Sequence, residues 1–173
     1  MRPYDVAVVG AGVIGQSIAW QCARRGLRVL VLDPAPGQGA SRVAAGMLAP
    51  VAEASFGEQE LTTLQVASLH RWPSFAAELT AASRLDIGYR TDGTLLIGLT
   101  HDDLQAVQRL QTYRQDLGLI TQPVTGQAAR EQEPLLNPRV CGGTRAPGDH
   151  QVDPRRLLRA LTTALNDLDV EIV

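Results

Sequence analysis

Gly10-Ala11-Gly12-Val13-Ile14-Gly15 restricts the fold of this chain more than any other segment. An apolar run, Val6-Ala7-Val8-Val9, leads into the glycines, and an alanine-rich helical pattern, about 15–25, leads out. Leu27-Arg28-Val29-Leu30-Val31-Leu32 then reads as a second strand, and Asp33 closes it. Strand, glycine turn, helix, strand and acid, in that order, form the unit that holds the ADP portion of a dinucleotide. Gly10 permits the tight turn out of the strand. Gly12 lacks a Cβ, so a pyrophosphate can approach the backbone, and Gly15 lets the helix lie close on the sheet. The helix start offers free N–H groups and the positive end of a dipole to phosphates. Asp33 lies eighteen residues after Gly15, near the separation of about twenty expected for the carboxylate that accepts ribose hydroxyls. Its charge argues against a ribose carrying a 2′-phosphate.

The 173 residues suffice for one domain or two small ones. All sixteen basic residues are Arg, and the formal net charge is −2. Neither nucleic acid nor an anionic membrane is therefore an expected partner. Cys22 and Cys141 make no disulfide framework, and their spacing suits no metal site. The N-terminal apolar run is broken by glycines, too short for a membrane span and without a signal-peptide cleavage pattern, so a cytoplasmic location is expected.

After Asp33-Pro34 comes a long loop rich in small residues and nearly free of charge, from Gly37 to Pro50. Loops of that length usually serve function. A helical pattern then runs over about 58–83, with Pro73 kinking or dividing it. Segments 87–91 and 93–98 read as two strands around an Asp92-Gly93 turn. Thr100 caps a helix that runs to about Leu117 and stops at Gly118. A short helix over 126–131 and a strand over 140–145 follow, then a loop over 148–153. Asp153 and Pro154 start a helix that carries Leu157, Leu158, Leu161 and Leu165 on one stripe, and 170–173 begins another strand. Only 5–9, 28–32 and 170–173 are candidates for the parallel sheet. A doubly wound sheet normally has five or six strands, so the expectation is the N-terminal part of a longer protein that folds poorly alone.

Three segments together resemble the glycine-oxidase branch of the flavin-dependent D-amino-acid oxidase family. They are the glycine turn, the loop Ala44-Ala45-Gly46-Met47-Leu48-Ala49-Pro50, and Asp149-His150-Gln151-Val152-Asp153-Pro154-Arg155-Arg156. The glycine turn is shared by many dinucleotide proteins; the other two segments are far more specific to this branch. The resemblance covers essentially the whole chain but only about the first half of such an enzyme. It implies an α/β fold: a Rossmann-like FAD-binding domain with an incomplete parallel sheet, interrupted by part of an α+β substrate domain. Residues 1–84 and 148–173 would form the two FAD-binding segments, and 85–147 the substrate-domain part. It also implies FAD as cofactor, a small amino acid and oxygen as substrates, imine, oxo acid, ammonia and hydrogen peroxide as products, and service to thiazole formation in thiamine biosynthesis. A homo-oligomer is expected at full length.

Motif by motif, Gly10, Gly12 and Gly15 would form the nucleotide turn, and Val13 and Ile14 would present backbone to the pyrophosphate. Asp33 would hold the adenosine ribose with Pro34 beside it. Ala40 and Ser41 would sit near the phosphates, and Ala45, Gly46 and Met47 along the flavin ring. Small residues there let backbone N–H groups approach a flat cofactor and stabilise negative charge on its reduced form. The arginine and tyrosine that grip substrate in this family lie in the second half, outside this chain, so no catalytic residue is assigned. Two alternatives remain open: an FAD-dependent amino-acid dehydrogenase, and a non-catalytic dinucleotide-binding fragment that needs a C-terminal partner. His150 is read as a turn residue, Trp20 and Trp72 as core, and Arg155-Arg156 as a solvated helix start.

Overall fold

The computed structural model describes residues 3–173. In chain order its elements are β1 (Val6–Val9), α1 (Val13–Ala23), β2 (Val29–Leu32), α2 (Ala40–Val43), β3 (Met47–Leu48), α3 (Pro50–Glu53), α4 (Gln59–Leu69) and α5 (Trp72–Ser83). There follow β4 (Thr94–Gly98), α6 (His101–Asp116), β5 (Gln122–Thr125), α7 (Gly126–Gln132), β6 (Gly142–Ala146), β7 (His150–Gln151), α8 (Pro154–Asn166) and β8 (Glu171–Ile172). Contacts divide the chain into two compact units. One comprises 1–47, 72–89 and 152–173; the other comprises 48–71 and 90–151. The expected boundaries placed 48–71 in the FAD-binding segment, whereas contacts group those residues with 90–151.

The first unit is built on a three-stranded parallel sheet in the order β1-β2-β8. Val6 pairs with Val29, Val9 with Leu32, and Val31 with Ile172. Two β–α connections return the chain in the same direction, as parallel pairing requires. α1 and α8 cover this sheet. Small residues (Ala19, Ala160, Ala164) are fully buried between them, and the leucine stripe of α8 is buried as its periodicity predicts. α8 starts as expected: Asp153 accepts from the N–H groups of Arg155 and Arg156 (2.9 and 3.0 Å), and Pro154 holds the first position. Trp20 is a core residue, edge-on to Phe75 at 5.5 Å. Trp72 also packs on aromatic neighbours, edge-on to Phe75 and stacked on Tyr89.

The second unit holds an antiparallel sheet, β4-β6-β5, with Thr94 opposite Ala146 and Gln122 opposite Arg145. α6 begins with the expected cap, here a full capping box between Thr100 and Asp103. Ala49, Val51, Ala52 and Ala146 make a small core, with Leu96 and Leu119 packed against it.

Several local expectations are corrected. The helical pattern over 58–83 is divided, one of the two outcomes expected of Pro73, which sits in the first turn of the second helix, where a missing N–H breaks no hydrogen bond. The hairpin around Asp92-Gly93 does not form. Gly88 takes φ +65°, Ile87 is buried, and only Arg90 bridges, to Gln151. Segment 94–98 pairs with β6 instead. The strand expected at 140–145 begins two residues later. The loop over 148–153 contains the two-residue β7. β5, unanticipated in sequence, forms over Gln122–Thr125 with Pro123 inside it.

Candidate functional site

The glycine turn, the acid after β2 and the small-residue loop as far as Met47 lie in the first unit. Gly10 leaves β1 with φ +100°, and its N–H donates to Leu32 O at 2.8 Å. Gly12 is the N-cap of α1. It gives the helix no side-chain cap, and the first turn carries no acid. That helix start keeps its positive dipole end free of a covalent anion. A Cβ on Gly12 would stand 3.1 Å from Ser41 Oγ. A Cβ on Gly15 would stand only 1.8 Å from Gly10 O, so glycine is what allows α1 to start so close to β1.

Asp33 follows β2 and is held by the turn itself. Its Oδ2 accepts from Ala11 N at 2.6 Å and its Oδ1 from Ala35 N at 2.8 Å. These N–H donors, Ala11 first, hold its carboxyl below the usual carboxylate range. The group is therefore an anion at neutral pH, with lone pairs left for hydroxyl donors. Pro34 beside it is exposed. Ala40 opens α2, and Ser41 Oγ accepts from Val13 N at 3.0 Å. The serine thus ties the 40–43 segment to the first turn of α1 and keeps its own proton for an outside acceptor such as a phosphate oxygen. Ile14 is exposed to 75% and Val9 to 85%, so the rim of the turn is apolar.

The Ala45-Gly46-Met47 segment is anchored by its glycine. Gly46 has φ +78°, its carbonyl accepts from Val152 N at 2.9 Å, and a Cβ there would meet Val152 O at 1.9 Å. Only glycine satisfies both the left-handed backbone and that approach. Ala45 and Met47 beside it are exposed, Met47 to 50%. The segment presents small side chains and one polarizable thioether, a surface suited to a flat ring system.

Two residues escaped the sequence reading. Gln16 is buried in α1, donates to Ala11 O at 2.8 Å and accepts from Thr162 at 3.0 Å, so it braces the turn from inside. A polar residue on an otherwise apolar helix face was the available signal. In the second unit Asp149 is fully buried and accepts from the N–H groups of Val51 and Ala52, both at 3.0 Å. Burial pushes its carboxyl up, against these hydrogen bonds and the charge of Arg114. Arg114, also buried, donates to the carbonyls of Ala52 and Ala54. Opposite charges thus cap the two ends of α3. Asp149 opens one of the segments that carry the family resemblance, but nothing in sequence signals that it is buried and caps α3. His150 lies half-buried in β7, and Arg155 and Arg156 are exposed as expected. Among the described residues, no group of three or more His, Cys, Asp or Glu could hold a metal ion, and no helix is long and apolar enough to cross a membrane.

A family model described as FAD dependent oxidoreductase (DAO) matches residues 5–173. The chain belongs to this FAD dependent oxidoreductase family. Glycine oxidase of Geobacillus kaustophilus (strain HTA426) is 36% identical over 163 residues, which is 93% of this chain and 43% of that protein. The bifunctional protein ThiO/ThiG of Synechocystis sp. is 31% identical over 97% of this chain and 24% of its own length. The crystal structure of glycine oxidase from Geobacillus kaustophilus superposes with a TM-score of 0.91 at 34% identity, over 98% of this chain and 46% of that one. The chain therefore spans less than half the length of these relatives. The expected α/β fold with a partial Rossmann-like sheet is borne out, and the cofactor of the family is FAD. The uncapped start of α1, the Cβ-free approach at Gly12 and the anionic Asp33 fit that group.

Proposed function

We propose that this chain supplies the cofactor-gripping half of an FAD-dependent oxidase that deaminates glycine or a similar small amine. The observation that supports this best is the backbone match to glycine oxidase over nearly the whole chain. Gly10, Gly12 and Gly15 would shape the turn, Val13 and Ile14 would present backbone to the pyrophosphate, and Ala40 and Ser41 would sit near the phosphates. Asp33, with Pro34 alongside, would accept the ribose hydroxyls. Ala45, Gly46 and Met47 would lie along the ring. On this reading 1–84 and 148–173 serve the FAD domain and 85–147 the substrate domain.

When bound, FAD supplies the two-electron acceptor for oxidising a C–N bond. The overall change takes the amine, oxygen and water to oxo acid, ammonia and hydrogen peroxide, by way of an imine. The protein's part is to orient the ring and stabilise negative charge that develops on it. The imine of glycine would serve thiazole formation in the cytoplasm, consistent with the similarity to ThiO/ThiG.

The test is peroxide release from glycine by the FAD-loaded protein, assayed with a C-terminal half of the kind the relatives possess. Glycine-dependent peroxide with matching oxygen uptake supports the proposal. Reduction of an artificial acceptor without oxygen uptake makes the protein a dehydrogenase. Inactivity toward every small amino acid leaves a dinucleotide-binding module and refutes the oxidase.

A further inference from the structure

Another concave site lies within the first unit, next to the braced turn. It is an open cleft of about 720 Å³. Pro36, Gly37, Gln38 and Arg42 line it together with the first three turns of α8, and buried Gln16 also reaches it. Gln16 and Gly37 both donate to Ala11 O, so the cleft and the nucleotide turn share a structural support.

Charge is the unusual property of this cleft. Arg42, Arg155, Arg156 and Arg159 line it against one carboxylate, Asp153. Asp153 is already engaged with the N–H groups that open α8. Arg156 pairs with Asp86 at 2.7 Å and with Asp153 at 3.5 Å. Arg42 donates to Gln38, a neutral partner. Arg155 and Arg159 form no ion pair among the described residues.

This arrangement is unfavourable by itself on two counts. Arg155 and Arg159 stand four residues apart on one helix, where like charges repel. Arg155 and Arg156 also lie in the first turn of α8, at the positive end of the helix dipole. An anion in the cleft offsets both costs. Guanidinium groups are planar forks that bind phosphate and carboxylate oxygens bidentately, and a concave wall concentrates their field. The volume falls among small-molecule sites, which are about 300–1,000 Å³, and exceeds what a lone inorganic ion fills. Pro36, Leu85 and Leu158 supply an apolar wall for a carbon skeleton.

We infer that this arginine-lined cleft binds a compact, multiply charged oxyanion of metabolite size, a phosphate ester or a polycarboxylate, separately from the FAD site.

The experiment titrates pyrophosphate, and in a second arm citrate, into the FAD-loaded protein by calorimetry. One-to-one binding that weakens with added salt is expected. The Arg155→Ala/Arg159→Ala variant should bind the probe at least about tenfold more weakly, since each lost contact is a charge-assisted one. Its flavin absorption should be unchanged, and an Arg109→Ala/Arg139→Ala control should bind normally. Tighter pyrophosphate assigns the cleft to phosphoryl groups, and tighter citrate assigns it to carboxylates. Binding of neither probe, equal affinity in the α8 variant, or displacement of FAD mole for mole each overturns the inference.

Discussion

Gly15→Ala is the most direct perturbation of the nucleotide unit. The added methyl would stand 1.8 Å from Gly10 O, 3.0 Å from Gly10 C and 3.3 Å from Val8 Cγ1. The first two contacts are backbone, so no side chain can swing aside. Relief requires α1 to retreat from β1 by well over an ångström, which pulls Val13 N away from Ser41 Oγ and strains the Ala11 N–H bond to Asp33 just before the helix. Overpacking of this kind costs about 1–3 kcal/mol, and the rigid neighbour places this case at the upper end. Replacing a helical glycine by alanine returns roughly 1 kcal/mol through backbone entropy. The net expectation is a loss of about 1–2 kcal/mol, and Tm falls by about 2–4 °C per kcal/mol in a chain of this size. FAD affinity should fall more than stability does if, as proposed, the displaced atoms are those that meet the pyrophosphate. Urea and thermal unfolding measure the first effect, and fluorescence titration with FAD the second. Gly148→Ala, whose Cβ would meet nothing within 4 Å, is the control and should be neutral. A Gly15→Ala protein with wild-type Tm and wild-type FAD affinity would refute the close-approach reasoning.

Asp33→Asn leaves one of the Ala11 and Ala35 N–H groups without its acceptor, so it should lower Tm modestly and, if Asp33 holds the ribose, weaken FAD binding as well; equal affinity in a titration would remove Asp33 from the ribose role. Asp149→Ala leaves two buried N–H donors unpaired and Arg114 without its counter-charge, so urea unfolding should show a loss of about 3–5 kcal/mol. Asp153→Ala deletes the α8 cap and should cost about 1 kcal/mol in the same assay. Acid titration separates the carboxylates. Asp33, Asp103 and Asp153 have carboxyls held below the ordinary value by hydrogen bonds, chiefly from backbone N–H groups. Their contribution is whole above the unfolded carboxylate pKa of about 4 and is lost as pH falls through their lowered folded values. Asp149 is raised by burial, so its contribution has the opposite sign: complete below the unfolded value and lost as pH rises through the folded one. Stability of Asp153→Ala should depend less on pH below 4 than that of the parent, as acid unfolding monitored by circular dichroism would show.

The parts of this structure that were legible in sequence are those where one local rule decides the outcome. Gly10 to Gly15, bounded by two apolar runs, could form only a turn between strand and helix. The leucines of α8 could be buried on only one stripe. Thr100 and Asp153 precede helices as capping residues do, and they cap them. Illegible parts are those settled by partners distant in sequence. Asp92-Gly93 carries the local signature of a hairpin, yet Gly93 N donates to Asp149 O, and β4 finds its partner nearly fifty residues downstream in β6. β5 pairs despite Pro123, because a strand at the sheet edge can spare a donor. The same division runs through the candidate site. The turn and Asp33 are visible because glycine and acid at those spacings have few other uses, whereas Gly46 enters only through the family resemblance. The roles of Gln16 and Asp149 are not visible, because their meaning lies in what they hold: the Ala11 carbonyl in one unit and the N–H groups of α3 in the other. Sequence patterns thus report the surfaces proposed to meet a ligand sooner than the polar groups that keep those surfaces in place.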